Sequence, residues 1–204
     1  MYIPSFNKFE DMQNIVAFMQ TYSFATIISV KDGLPVATHL PFVVKESNGH
    51  IILSSHFAKA NPQSADILNG DTLIIFTEPH AYISPKNYEK ELNVPTWNYL
   101  AVHAYGKCKL LEGADKKATL LEEMIKLYEV DYLNQWDNLP DDYKHKMMNG
   151  IVAFDMIVDD LQAKAKLSQN RSEKEQENII KRLSQSPEQS EKAIASYMAG
   201  LKSE

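Results

Sequence analysis

Apolar positions change their period along this chain, and the changes mark out its elements. From Asn7 to Tyr22, Met12, Ile15, Val16 and Met19 recur at helical intervals. Asn7 with Glu10 has capping-box spacing, so the pattern predicts a helix over 7–22. The texture then turns to β. Phe24–Val30 is one run, Asp32-Gly33 is a tight-turn pair, and Pro35–Lys45 is a second run, which together predict a hairpin. Asn48-Gly49 repeats the turn signal ahead of Ile51–His56 and extends the hairpin into a meander. Ala60–Leu68 fits a short helix, while Asp71–Glu78 and Ala81–Ser84 fit strands. Thr96–Leu111 is long enough for a strand that bends. Ala114–Tyr132 reads as a helix with Leu120, Leu121, Met124, Ile125, Leu127 and Tyr128 on its apolar side, and Ile151–Val158 as a last strand. Ser172 with Glu175, and Ser186-Pro187 with Gln189, mark the starts of two closing helices.

Six or seven short strands joined by tight turns and flanked by helices predict an α+β fold. The expected architecture is an antiparallel barrel with flanking helices and a C-terminal helix pair. Strands do not alternate with helices, which argues against a doubly wound parallel sheet. The seven glycines are scattered, and neither a Gly-x-Gly-x-x-Gly turn nor a phosphate-binding P-loop occurs.

Composition narrows the function classes. The 204 residues, 44% hydrophobic, suffice for one well-buried domain with a small appendage: a domain over 1–170 and a helical extension over 171–204. No apolar run approaches the roughly 20 residues that span a bilayer, and the first residues lack the apolar stretch of a signal peptide. With one cysteine, Cys108, no internal disulfide forms, and a cytoplasmic location is expected. The net charge is −6. Residues 161–204 carry eight bases against six acids, so the tail is only mildly basic. The second closing helix presents Glu188 and Glu191 against a single Lys192. A helix that reads DNA presents donors at its start, so direct DNA contact is not expected.

Four stretches carry the candidate chemistry. Ser54-Ser55-His56-Phe57-Ala58-Lys59-Ala60-Asn61 leaves a strand and enters a helix, where free backbone N–H groups, Lys59 and polar side chains suit a phosphate. The alternative is a polar loop with Asn61-Pro62 as its turn. Thr38-His39-Leu40-Pro41 interrupts an apolar strand, and Pro41 removes a ladder donor, which points to an edge or bulge. Trp97, Asn98, Tyr99, His103 and Tyr105 crowd one segment with π-surfaces that suit a flat ligand. Lys166-Leu167-Ser168-Gln169-Asn170-Arg171, between the last strand and a capped helix, offers Arg171 to a phosphate and Gln169 to a heterocycle edge; it also fits a plain polar linker. The histidines match no metal-ligand spacing, Cys108 has no oriented base, and no catalytic acid or base is identified.

The same stretches carry a resemblance. Gly33-Leu34-Pro35-Val36-Ala37-Thr38-His39-Leu40-Pro41, Ser55-His56 with Ala60-Asn61-Pro62, Ala81-Tyr82-Ile83-Ser84-Pro85, Val94-Pro95-Thr96-Trp97-Asn98-Tyr99, Val102-His103-Ala104-Tyr105-Gly106 and Lys166-Leu167-Ser168-Gln169-Asn170-Arg171 closely resemble the PaiB family, over nearly the whole chain. The resemblance implies an FMN-binding split barrel, a role as a negative transcriptional regulator, and a homodimer with FMN at the subunit interface. It implies cofactor contacts by Thr38, His39, Leu40, Ser55, His56, Lys59, Asn61, Trp97, Asn98, Lys166, Gln169 and Arg171. Two positions depart from the family pattern: Ala165 stands where a bulky aromatic is expected, and Phe57 where a small residue is expected. Two other functions stay open, a flavin-dependent oxidoreductase or flavin reductase, and a haem-binding or haem-degrading protein.

Overall fold

The computed structural model describes residues 1–201, which fall into two compact units made of interleaved segments. One unit contains Met1–Ile15, Thr77–Val102 and the chain from Gln162 onward; the other contains Val16–Phe76 and His103–Leu161. The second holds most of the sheet. Strands β1 (Phe24–Lys31) and β2 (Leu34–Pro41) form an antiparallel hairpin, as do β3 (Val43–Ser47) and β4 (His50–Ala58). Their turns carry Asp32 and Asn48 at φ 51° and Gly33 and Gly49 at φ 79°, the positive pair that a two-residue turn between twisted strands requires. Strands β5 (Thr72–Phe76), β6 (His80–Ile83), β7 (Thr96–Leu110) and β8 (Ile151–Lys166) complete the set. The strand order is β2-β1-β5-β7-β8-β4-β3, with β6 beside β7, so β2 and β3 are edges.

The Pro35–Lys45 run breaks at Phe42, whose N–H turns to the Ser23 carbonyl at 2.9 Å while its ring enters the core. There it meets Phe76 and Phe154 edge-on, and Phe154 stacks on Phe57 at 5.3 Å. All four rings are fully buried. Beside them Val43 and Ala153 pack against Leu120 and Met124 of a helix, α3 (Ala114–Tyr128). Gly106 of β7 faces the Ile157 carbonyl of β8 so closely that an added Cβ would stand 3.0 Å from the carbonyl carbon and nearer still to the oxygen.

Several boundaries differ from expectation. The first helix, α1, is only Met12–Thr21, and Asp11 caps it by accepting the Asn14 N–H at 2.7 Å. Asn7 is instead the buried residue of a short, otherwise exposed turn after Pro4, and Lys8 bridges β8 as an extended residue. The expected Ala60–Leu68 helix contracts to one turn, α2 (Gln63–Asp66). Two helices, α4 (Tyr132–Asn138) and α5 (Asp141–Asn149), follow α3 in place of one continuous run; Pro140 with Asp141 and Asp142 starts α5. The last strand runs past the exposed pair Asp159-Asp160 as far as Lys166. Ser172 caps α6 (Glu173–Ser184) by accepting the Glu175 N–H, as its spacing predicts. Ser186 does not cap α7 (Gln189–Gly200): it accepts from Glu188 N–H in a turn one step earlier.

In the first unit, Ser190 of α7 both accepts from the His80 N–H at 2.8 Å and donates to the His80 carbonyl at 2.6 Å. Glu175 of α6 accepts the Glu89 N–H at 3.0 Å. These bonds tie the closing helices to β6 and the loop after it. Among the described residues no helix is long and apolar enough to cross a membrane.

Candidate functional site

In the second unit the β2 edge and the Lys59 turn are joined by a buried amide. Gln63 is 0% exposed. Its Oε1 accepts from Thr38 Oγ1 at 2.6 Å, and its Nε2 donates to the Val36 carbonyl at 2.9 Å, with Ser29 Oγ and the Ile27 carbonyl at 3.2 and 3.3 Å. Asn61 completes the knot. Its Nδ2 donates to Thr38 Oγ1 at 3.1 Å, and its Oδ1 accepts the Gln63 N–H at 3.0 Å. Two of the predicted residues, Thr38 and Asn61, are therefore brought together by a third that the sequence did not single out. A polar side chain just after Asn61-Pro62 and ahead of an apolar helical residue was its only signal.

The neighbours divide by exposure. His39 is exposed on the edge strand and stacks with Phe24 at 6.3 Å, whereas Leu40 points into the core. Ser55 is buried, and its hydroxyl is taken by the Pro41 carbonyl at 2.6 Å, which fixes β4 against the end of β2. His56 keeps a buried Nδ1 without a partner among the described residues, and burial lowers its pKa, so the imidazole is neutral near pH 7. Lys59 is exposed, anchored by its N–H on the Gly150 carbonyl at 2.8 Å. It borders a cleft of about 290 Å³ with Lys117 and Asn149. The expected helix dipole is missing here. Four residues carry too little macrodipole, and the Asn61 side chain already takes the first N–H, so an anion at this turn must be held by side chains.

The remaining predicted residues lie in the first unit. Asn98 is 0% exposed, and its amide is committed to Ser168 Oγ at 3.0 Å and Met198 Sδ at 3.5 Å. It thereby holds the turn in which Ser168 takes φ 62°. Gln169 is likewise turned inward, bonding the Ala165 carbonyl and the Leu167 N–H of its own loop. Trp97 is half exposed, against His80 at 5.9 Å and Tyr82 at 5.7 Å. Lys166 belongs to β8 and not to the loop after it; its ammonium donates to Thr96 Oγ1. The Arg171 guanidinium lies over the Tyr88 ring, 3.8 Å from its centre, and donates to Asn93 Oδ1 at 2.8 Å. Lys166 and Arg171 line one cavity of about 400 Å³. Among the described residues no three His, Cys, Asp or Glu side chains gather as metal ligands do.

Comparison with known proteins gives a consistent result. The family model described as "Putative FMN-binding domain" matches residues 1–160. "Protease synthase and sporulation protein PAI 2" of Bacillus subtilis is 41% identical over 201 residues, spanning 97% of this chain and 96% of that protein. Two solved structures share the fold at 15% identity: the flavocytochrome Anf3 of Azotobacter vinelandii (TM-score 0.60, 76% of this chain and 67% of that one), and the FAD and heme binding protein of Mycobacterium smegmatis (TM-score 0.56, 76% and 71%). The sheet is that of an antiparallel split barrel.

Proposed function

This chain belongs to the PaiB-type family of FMN-binding-domain proteins, and from that premise we propose that it holds FMN through the β2 edge and the Lys59–Asn61 turn. The observation that carries the proposal is the Gln63 knot, which locks Thr38 and Asn61 into one rigid site. The residues there fit the cofactor's parts. Lys59 is an exposed cation, and no ion pair engages it among the described residues, so it is available to a phosphate. Among the described residues β2 pairs with β1 alone, so the backbone on its outer side is open to the hydrogen-bonding edge of the flavin ring at Thr38, His39 and Leu40. The exposed Phe24–His39 stack offers a flat apolar face. Ser55 of β4 steadies the end of this edge through its bond to the Pro41 carbonyl. A single phosphate-holding turn, with no glycine-rich loop for a pyrophosphate, favours FMN over FAD. Bound there, the flavin would supply a two-electron redox centre, while the protein sets its position and surroundings.

The test is chemical. Denaturation releases the chromophore for chromatography; FAD alone, or no flavin after reconstitution, overturns the proposal. In the variant Lys59→Ala, FMN affinity should fall by about 1.5–3 kcal/mol, roughly 10- to 150-fold, with riboflavin affinity nearly unchanged. Equal losses for both ligands would remove Lys59 from the phosphate.

We propose further that the protein works as a homodimer and serves regulation without contacting DNA itself. The net charge of −6, and Glu188 and Glu191 at the start of α7, support the second point. Mass measurement in solution tests the dimer. A nanomolar sequence-specific complex with genomic fragments at physiological salt would overturn the view on DNA.

A further inference from the structure

The 400 Å³ cavity of the first unit has a composition that the flavin proposal does not use. Three cations border it, Lys164, Lys166 and Arg171, and none of its lining residues is acidic. Lys164 is 8% exposed, yet among the described residues its ammonium meets no carboxylate: it donates to the Tyr2 carbonyl at 3.3 Å and lies over the Tyr99 ring at 5.2 Å. Among the described residues Lys166 donates to the Thr96 hydroxyl alone; burial lowers its pKa, Tyr99 opposes this, and the neighbouring Lys164 charge adds a smaller lowering. Among the described residues Arg171 has a carboxylate only at the limit of contact, Glu175 Oε2 at 4.0 Å, and that acid also accepts the Glu89 N–H. Burying ammonium groups side by side without counter-charge is costly, and a cavity that gathers them gains most from an anion placed between them. The Thr96 hydroxyl, having accepted from Lys166, keeps its own proton to donate inward. The remaining walls include the rings of Tyr2, Phe6 and Tyr99, and the volume suits a small organic molecule.

We propose that this cavity is a second ligand site, separate from the flavin, that takes a small aromatic anion, a carboxylate or phosphate monoester, with its charged group among Lys164, Lys166 and Arg171. The rings hold the body of the ligand, and the arginine, pre-aligned on Tyr88, supplies a fork rather than a point charge.

Calorimetric titration of the full-length protein, with and without saturating FMN, tests this with phenyl phosphate, benzoate and uncharged benzyl alcohol as probes. The expected result is binding of one or both anions but not the alcohol, weakened at least tenfold by Lys166→Gln and by Arg171→Gln, and unchanged by Lys59→Gln or by FMN. Far-ultraviolet circular dichroism certifies that each variant is folded, and either of the two suffices if the other is not. No anion binding up to millimolar concentration overturns the second site while leaving the flavin proposal untouched. Anion binding unaffected by both variants overturns it equally. If FMN competes with phenyl phosphate one for one, and Lys166→Gln abolishes both while Lys59→Gln spares both, the cavity is the flavin's own phosphate seat. Both proposals then fall. If FMN does not bind at all but phenyl phosphate still binds through Lys166, only the flavin proposal falls.

Discussion

Replacing Gln63 with leucine should loosen the flavin edge and weaken the fold by a calculable amount. The side chain makes two short bonds, at 2.6 Å to Thr38 and 2.9 Å to Val36, and two longer ones. Each short bond contributes about 1 kcal/mol net. Removing the amide also leaves the Val36 carbonyl and the Thr38 hydroxyl, both only partly buried, short of a partner, at about 1–2 kcal/mol between them, the low end for groups that solvent still reaches. Thr38 keeps the Asn61 donor, so its loss sits at the low end. Leucine returns about 1 kcal/mol through apolar burial of similar volume. The balance is a loss of about 2–3 kcal/mol, or about 4–12 °C in Tm for a chain of this size. Scanning calorimetry and FMN titration check it together. The geometric argument requires FMN affinity to fall at least several-fold, because Thr38 and Asn61 lose their common anchor. A Tm within about 2 °C of the parent, with flavin affinity intact, would refute the assignment of Gln63 as the knot.

Three further outcomes follow. Gly106→Ala should lower stability by about 3 kcal/mol or more, since the new methyl meets the Ile157 backbone and Met156 Cγ at 3.2 Å; Gly200→Ala, at a helical position where a Cβ meets nothing within 4 Å outside its own helix among the described residues, should be neutral to mildly stabilising, and equal Tm values for the two would refute the close approach. Burial pushes the Cys108 thiol up to about 11, against a weaker opposing bond from Thr72. At pH 8 roughly one molecule in a thousand is thiolate, so a disulfide reagent should label the native protein at least tenfold more slowly than the urea-unfolded chain. Burial also lowers the pKa values of His56 and His103 below their unfolded value of about 6.5. The unfolded chain therefore takes up protons first as pH falls, and the stability present above about pH 6.5 is lost below it. Tm should drop between pH 7.5 and 5.5, and drop less in the double variant His56→Asn, His103→Asn; identical drops would refute the assignment.

Local chemistry made much of this architecture legible. Asp32-Gly33 and Asn48-Gly49 marked both tight turns, and a hairpin forms at each. The meander expected to join them does not form: the run breaks at Phe42, and β2 and β3 lie at opposite ends of the strand order. Pro41 identified an edge, and β2 is one. The errors came where tertiary contacts override local pattern. Asn7 has the spacing of a cap, but the chain buries it and hands the cap to Asp11. Asp159-Asp160 resembles a strand end, yet β8 continues because its backbone pairs regardless of those exposed side chains. That continuation places Lys164 and Lys166 on a strand, where alternate residues share a face, and so creates the cationic cavity that a loop would not. Gln63 and Asn98 illustrate the remaining limit. A sequence shows that an amide is present but not whether it faces a ligand or its own fold.

The interleaving of the two units has a consequence for the order in which the protein can be made. Residues 1–15 emerge about 150 residues ahead of their partners: the Met1 amino group binds Gln162, Phe9 N–H binds the Ala163 carbonyl at 3.3 Å, and Lys8 bridges Lys164. At about 5–20 residues per second, the first segment waits on the order of ten to thirty seconds for them. Over that interval residues 1–15 remain open to chaperones and proteases, until the segment that pairs with them has left the ribosome.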